Sequence, residues 1–379
     1  MQIAAAILSL ATILAVLVDA FETVVLPRRV TRRFRLSRAF FRWFWPGWSF
    51  VAKRVTNRKW RDAFLGIFGP LSLLMLLALW AAGLIFAFGS LQWSFGSMIA
   101  TPDGEPGLLS DIYLSGTTFF TLGYGDVVPR SALARAIAVA EAGMGFGFLA
   151  IVIGYLPVIY SAFSRREVTI TLLDSRAGSP SSAVELLRRF ARRGQLGALD
   201  GFFAEWERWS AELLESHLSY PVLGYYRSQH DNQSWLASIT TILDACALVM
   251  AGVVNLSCHQ ASLTFAIARH AMVDLCQIFS ARPLALTTPR LTDESLAEAR
   301  RLLSEAGTPV RSCEDSAKKL QELRDLYEPY VNALSRRFLL PLPLWLPQAH
   351  QISNWQTSAW GRATSGAAAT DMGISEDIH

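Results

Sequence analysis

Residues 63–95 carry no charged side chain. An apolar run of that length suits a helix crossing the roughly 30 Å hydrocarbon core of a bilayer. In lipid the backbone has no water to bond with, so such a run must be helical. Residues 3–26 and 134–163 qualify as well. The expected spans are 3–26, 65–88 and 134–163, with Pro70 in the first turn of the second, and the expected fold is all-α. Composition agrees, since 52% of the 379 residues are hydrophobic.

Charge is distributed unevenly around these spans. Residues 28–61 hold twelve Lys or Arg and no acid, and residues 62–129 hold no Lys or Arg. Beyond Phe163 there are 21 basic and 23 acidic residues, so the net charge of +4 belongs to one membrane-proximal loop and nucleic acid is a poor partner. Positive charge stays on the cytoplasmic side of a membrane. The expected topology is a multi-pass protein of the cell membrane with its N-terminus outside and its C-terminal half cytoplasmic. The first span has its basic residues after it rather than before, which reads as an anchor and not a cleaved leader. Asp19 and Glu22 close that span, in reach of the arginines that follow.

Residues 28–62 mix arginine with aromatics, as in Phe40-Phe41-Arg42-Trp43-Phe44-Trp45. This predicts an amphipathic helix on the cytoplasmic leaflet, drawn to anionic lipid headgroups. Arg29, Arg32, Arg35 and Arg38 recur every third residue, but Thr31, Arg33 and Ser37 fill the gaps. A voltage-sensing ladder would have apolar gaps.

Between the second and third spans lies Thr121-Leu122-Gly123-Tyr124-Gly125-Asp126. A helical pattern over 108–120 leads into it. Gly123 and Gly125 adopt positive φ at little cost, which lets successive carbonyls turn to one side. Stacked rings of such carbonyls replace the hydration shell of a potassium ion. Thr121 adds a hydroxyl, and Leu122 and Tyr124 would wedge the ring from behind.

This stretch resembles the potassium-channel filter, Thr-Val-Gly-Tyr-Gly-Asp, at five of six positions. Pro129, Arg135 and Gly145 also fall at the spacing of bacterial two-helix potassium pores. The resemblance covers residues 63–166. It implies a re-entrant pore helix and filter, potassium held at Thr121, Leu122, Gly123 and Tyr124, and assembly as a homotetramer. It implies that Tyr113 braces the filter and that Gly145 is a gating hinge. Leu122 stands where valine is usual, and Thr117 where some pores carry a glutamate paired to the filter aspartate. The rival within the class is a weakly selective cation channel; outside it, a membrane-anchored signalling protein, or an enzyme, which no nucleophile–base arrangement supports. No cofactor is expected beyond the permeant ion.

Glu141 is the odd residue of the third span. Helical spacing puts it behind the pore helix, in reach of Ser115, Thr117 or Thr118, with a ring facing the cavity as the alternative. Pro157 removes a backbone hydrogen bond near the inner end and is a second gating candidate. Asp103, Glu105, Asp111 and Asp126 would ring the outer mouth.

The expected domains are 1–27, 28–62, 63–166, 167–340 and 341–379: anchor, interfacial segment, pore, helical cytoplasmic domain and a partly disordered tail. A short strand is expected at 168–173, a turn at 177–180 and a capping box from Ser182 to Glu185. Helices follow at 183–193, 198–217, 234–255, 258–280, 292–306 and 314–337. Asp244 in mid-helix marks 234–255 as a buried core element. Residues 225–235 are the most site-like run, read as a loop capping that helix, and an unknown regulatory ligand of 167–340 is expected. Cys246, Cys258, Cys276 and Cys313 match no zinc spacing. No dinucleotide fingerprint or calcium loop is present.

Overall fold

The computed structural model describes residues 1–26, 35–102, 106–230, 232–252, 258–285, 289–308, 310 and 314–347. Arg28, Arg29, Arg32, Asp103, Glu105 and Cys313 lie outside these. The chain divides into two units, Met1–Ser161 and Ala162–His379. The fold is all-α; among the described residues the only strands are the two-residue β1 (Ile99–Ala100) and β2 (Val128–Pro129).

The first unit holds α1 (Gln2–Ala20, continued by a π turn over Phe21–Val25), α2 (Leu36–Arg54), α3 (Arg58–Ser94), α4 (Leu108–Phe119) and the start of α5 (Ala132–Ala177). Among the described residues, three helices are long and apolar enough to cross a membrane: Gln2–Val25, Arg58–Ser94 and Ala132–Ala177. The last two run well beyond the expected spans, because a helix once nucleated adds one hydrogen bond per residue. At 37 and 46 residues they measure about 55 and 69 Å. Pro70 accordingly sits inside α3 rather than in its first turn. The expected strand at 168–173 is instead the continuation of α5, which buries Ile170 and Leu173. The β-branched residues there misled local reading.

Antiparallel packing joins α1 to the second half of α3, with Val16 beside Gly83 and Asp19 beside Trp80. The first half of α3 is covered by α2. Trp48 stacks on Phe64 at 4.3 Å and donates to its carbonyl, and Trp45 meets Phe68 edge-on at 4.8 Å. So the aromatic face of α2 is divided: Phe40 and Trp45 are buried, while Trp43, Phe44 and Phe50 are exposed.

A polar knot ties these helices. Asp19 is fully buried and accepts from Trp80 Nε1 at 3.0 Å, Ser37 N at 2.9 Å and Ser37 Oγ at 3.1 Å. Arg35 lies 3.8 Å from Asp19 and 3.6 Å from Glu22. The acids at the end of the first span do meet a following arginine, but in the protein interior. α3 and α4 approach closely at Gly89, where a Cβ would sit 2.7 Å from the Ile112 Cα.

The second unit contains the end of α5, then α6 (Ala183–Arg192), α7 (Leu199–Ser219), α8 (Trp235–Met250), α9 (His259–Ile278), α10 (Asp293–Glu305), α11 (Glu314–Asp325) and α12 (Glu328–Phe338). Ser182 caps α6 by accepting from Glu185 N at 3.4 Å. The single helix expected at 314–337 is two, because Pro329 lacks the N–H a continuing helix needs but suits a first turn. α8 has 16 residues and is buried on every face. Arg290 grips Asp244 with two bonds of 2.7 and 3.2 Å, and Tyr327 donates to the same carboxylate. Arg290 also donates to the Pro343 carbonyl at 3.0 Å. The indole of Trp345 lies between Arg290 and Arg324, 5.8 and 5.7 Å from their guanidinium carbons. Residues 341–347 are thus packed onto the helices; residues 348–379 lie outside those described.

Candidate functional site

The loop 121–126 leaves the C-terminal end of α4, a helix of 12 residues. That end leaves carbonyls without helical partners, and the loop uses them. Thr121 N donates to Thr118 O at 3.0 Å, and Leu122 N to Thr117 O at 2.8 Å, with Gly123 N 3.4 Å from the same oxygen. Thr117 and Thr118 accept these bonds through their backbone carbonyls. The Thr117 hydroxyl turns back to Leu114 O at 3.0 Å.

Backbone angles alternate along the loop. φ is +57° at Thr121, +58° at Gly123 and +79° at Gly125, and is not positive at Leu122, Tyr124 or Asp126. The two glycines were expected there. Thr121 was not: a β-branched residue at positive φ is a genuine outlier, costing about 1–3 kcal/mol. The loop as a whole is exposed, with Leu122 at 55% and Tyr124 at 70%. Among the described residues, nothing covers the two side chains expected to wedge it from behind.

Below the loop, β1 and β2 pair Ile99 with Pro129 and Ala100 with Val128. Ile99, Leu114 and Val127 form a small core under that pair. Tyr113 donates to Asp126 Oδ2 at the end of the loop at 2.8 Å. Asp111 is buried and accepts from Ser97 Oγ at 2.5 Å. It therefore leaves the set of acids expected around the mouth, because a carboxylate in the first turn of α4 has a partner within the protein.

Behind α4 stands α5. Glu141 is fully buried and contacts Ser115 through Oε1, on the side expected and not toward a cavity. Ser115 Oγ also bonds Ile85 O of α3 at 2.8 Å. At Gly145 the approach is closest: an added Cβ would lie 2.1 Å from Phe119 O. Phe148 packs on the Phe119 ring at 5.7 Å. Pro157 lies within the continuous helix α5.

In the second unit, the guanidinium of Arg166 is buried. Its Nη1 donates to Leu223 O at 2.9 Å and its Nη2 to Tyr226 O at 3.0 Å. His217 Nδ1 lies 2.8 Å from Leu213 O, which can only accept, so Nδ1 carries the proton and Nε2 faces Arg166 at 3.4 Å. Burial first, and then the Arg166 charge, push the His217 pKa down to about 3. The run 225–235 is anchored at several of its described residues, while Gln229, His230 and Asn232 are exposed. Arg227 donates to Phe338 O at 2.8 Å, Gln233 to Asp174 at 2.6 Å, and Ser234 caps α8. Sequence reading missed the Arg166 clasp; an arginine directly after an apolar span reads as a boundary marker.

Residues 73–161 match the family model described as ion channel, and this segment holds the loop together with the helices on either side. These residues thus match an ion-channel domain, in a membrane protein with long apolar helices on either side of the loop. A curated relative, the Uncharacterized membrane protein YdjJ of Bacillus subtilis (strain 168), is 23% identical over 221 residues, 58% of this chain and 62% of the relative. The chain therefore spans about three fifths of that relative's length. No solved structure matches the chain significantly.

Proposed function

We propose that the chain is one subunit of a potassium-selective channel. Carbonyls of Thr121, Leu122, Gly123 and Tyr124 would replace the water of a dehydrated potassium ion. The observation that carries this reading is the alternating φ along 121–125, hung from the Thr117 carbonyl at the end of a short helix. One chain supplies one side of a ring, so four copies would enclose the ion. The exposed Leu122 and Tyr124 side chains are then covered by the neighbouring copies. The loop faces the outside, the second unit is cytoplasmic and acts on the pore, and α5 carries the gate near Gly145 or Pro157. Trp43, Phe44 and Phe50, exposed on a helix that also carries Arg38 and Arg42, suit an interface rich in anionic lipid.

The test is purified full-length protein in liposomes under opposed potassium and sodium gradients. A reversal potential near the potassium equilibrium value supports the reading. Equal permeability to the two ions makes the pore a weakly selective cation channel, and no flux removes the channel reading.

A further inference from the structure

Glu141 sits where three helices of the pore segment meet. The Ser115 hydroxyl contacts two oxygens, Ile85 O on α3 and Glu141 Oε1 on α5. One hydroxyl proton shared between two acceptors makes two bent, weaker bonds, so the two contacts are best served by a proton each. A serine hydroxyl has one, and a peptide carbonyl has none. Ser115 is committed to Ile85 O, which can only accept. Glu141 supplies the second proton in the arrangement that satisfies both contacts.

The surroundings fit a neutral acid. Residues 63–95 contribute no charge, and α4 brings only the acid Asp111. On α5 itself Arg135 is turned to the Pro129 carbonyl at 3.4 Å. Among the described residues, Glu141 Oε2 is buried without a hydrogen-bond partner. As the carbonyl oxygen of a neutral acid it forgoes one modest bond; as half of a carboxylate it would be an unpaired charge in a lipid-embedded bundle.

We infer that Glu141 is a protonated carboxylic acid whose Oε1–H donates to Ser115 Oγ, while Ser115 donates to Ile85 O. This relay locks α5, α4 and α3 together. Ser115 lies two residues before Thr117, whose carbonyl anchors Leu122 and Gly123. Glu141 is therefore a positioning residue for the loop. That consequence rests on the channel reading; the protonation does not.

Two measurements on full-length protein in liposomes test this. The first is the infrared difference between wild type and E141Q at neutral pH. A protonated-carboxyl C=O stretch present only in wild type is expected; a difference confined to carboxylate bands overturns the inference. The second is flux. E141Q keeps an N–H donor for Ser115 and should hold the wild-type ratio of potassium to sodium flux. E141L and S115A break the relay and should lower that ratio by about fivefold, the scale of one lost buried hydrogen bond. E141Q as damaging as E141L overturns the donor role. Wild-type protein that conducts nothing overturns the channel reading, while the infrared result still decides the protonation.

Discussion

Gly145→Ala probes the closest contact in the pore segment. The added Cβ would stand 2.1 Å from Phe119 O, 2.9 Å from Phe119 C and 3.1 Å from Phe119 Cα. Ordinary contacts with carbon begin at about 3.5 Å, so α5 and the end of α4 must separate by roughly 1.4 Å. The obstacle is backbone, and trimming the Phe119 side chain cannot relieve it. Overpacking of this kind costs about 1–3 kcal/mol. The helix itself gains up to about 1 kcal/mol from Gly→Ala, which offsets part of the loss. Phe119 is two residues from Thr121, so the strain should reach the loop. Expected outcomes are a lower thermal midpoint in detergent and a lower potassium-to-sodium flux ratio in liposomes. Gly143→Ala and Gly147→Ala are controls, since a Cβ at either meets nothing within 4 Å in this chain and stiffens the same helix. A Gly145→Ala protein with unchanged melting and selectivity, altered only in open probability, would refute the packing argument and leave a hinge as the role of Gly145.

Three further predictions follow from the geometry. Arg166→Met strips the donors from two buried carbonyls and should destabilise the second unit by about 2–4 kcal/mol, read as faster proteolysis within residues 162–347. His217 titrates at about 3 when folded against an ordinary 6.5. Its depressed value means that the unfolded chain binds more protons between those limits. Its contribution to stability is full above about pH 6.5 and falls by up to about 1.4 kcal/mol per unit as pH drops toward 3; His217→Gln should flatten the acid limb of the melting curve relative to wild type. Tyr113→Phe and Asp126→Ala each remove the one hydrogen bond between them, and the double variant should cost no more than the larger single one. Full additivity in melting experiments would mean that the bond is not formed.

The membrane class, the three long apolar helices and the loop between the last two were legible in the residues, because lipid permits one backbone solution and a run without charge declares itself. The buried course of α8 was legible from Asp244, and the place of Glu141 from helical spacing. Local pattern went astray where a neighbouring element overrode it. Val168 to Thr171 have strand propensity but are carried forward as helix by α5, and Asp111 reads as a mouth acid until Ser97 is brought beside it. Other features depend on atoms far apart in sequence. The meeting of Ser115, Ile85 and Glu141, the collision at Gly145 with the Phe119 carbonyl, and the Arg166 clasp on Leu223 and Tyr226 have no signature in any one segment. Helix lengths and spans follow from the solvent preference of consecutive residues, whereas the register between helices, and with it the proton count behind the loop, is decided only when the helices pack.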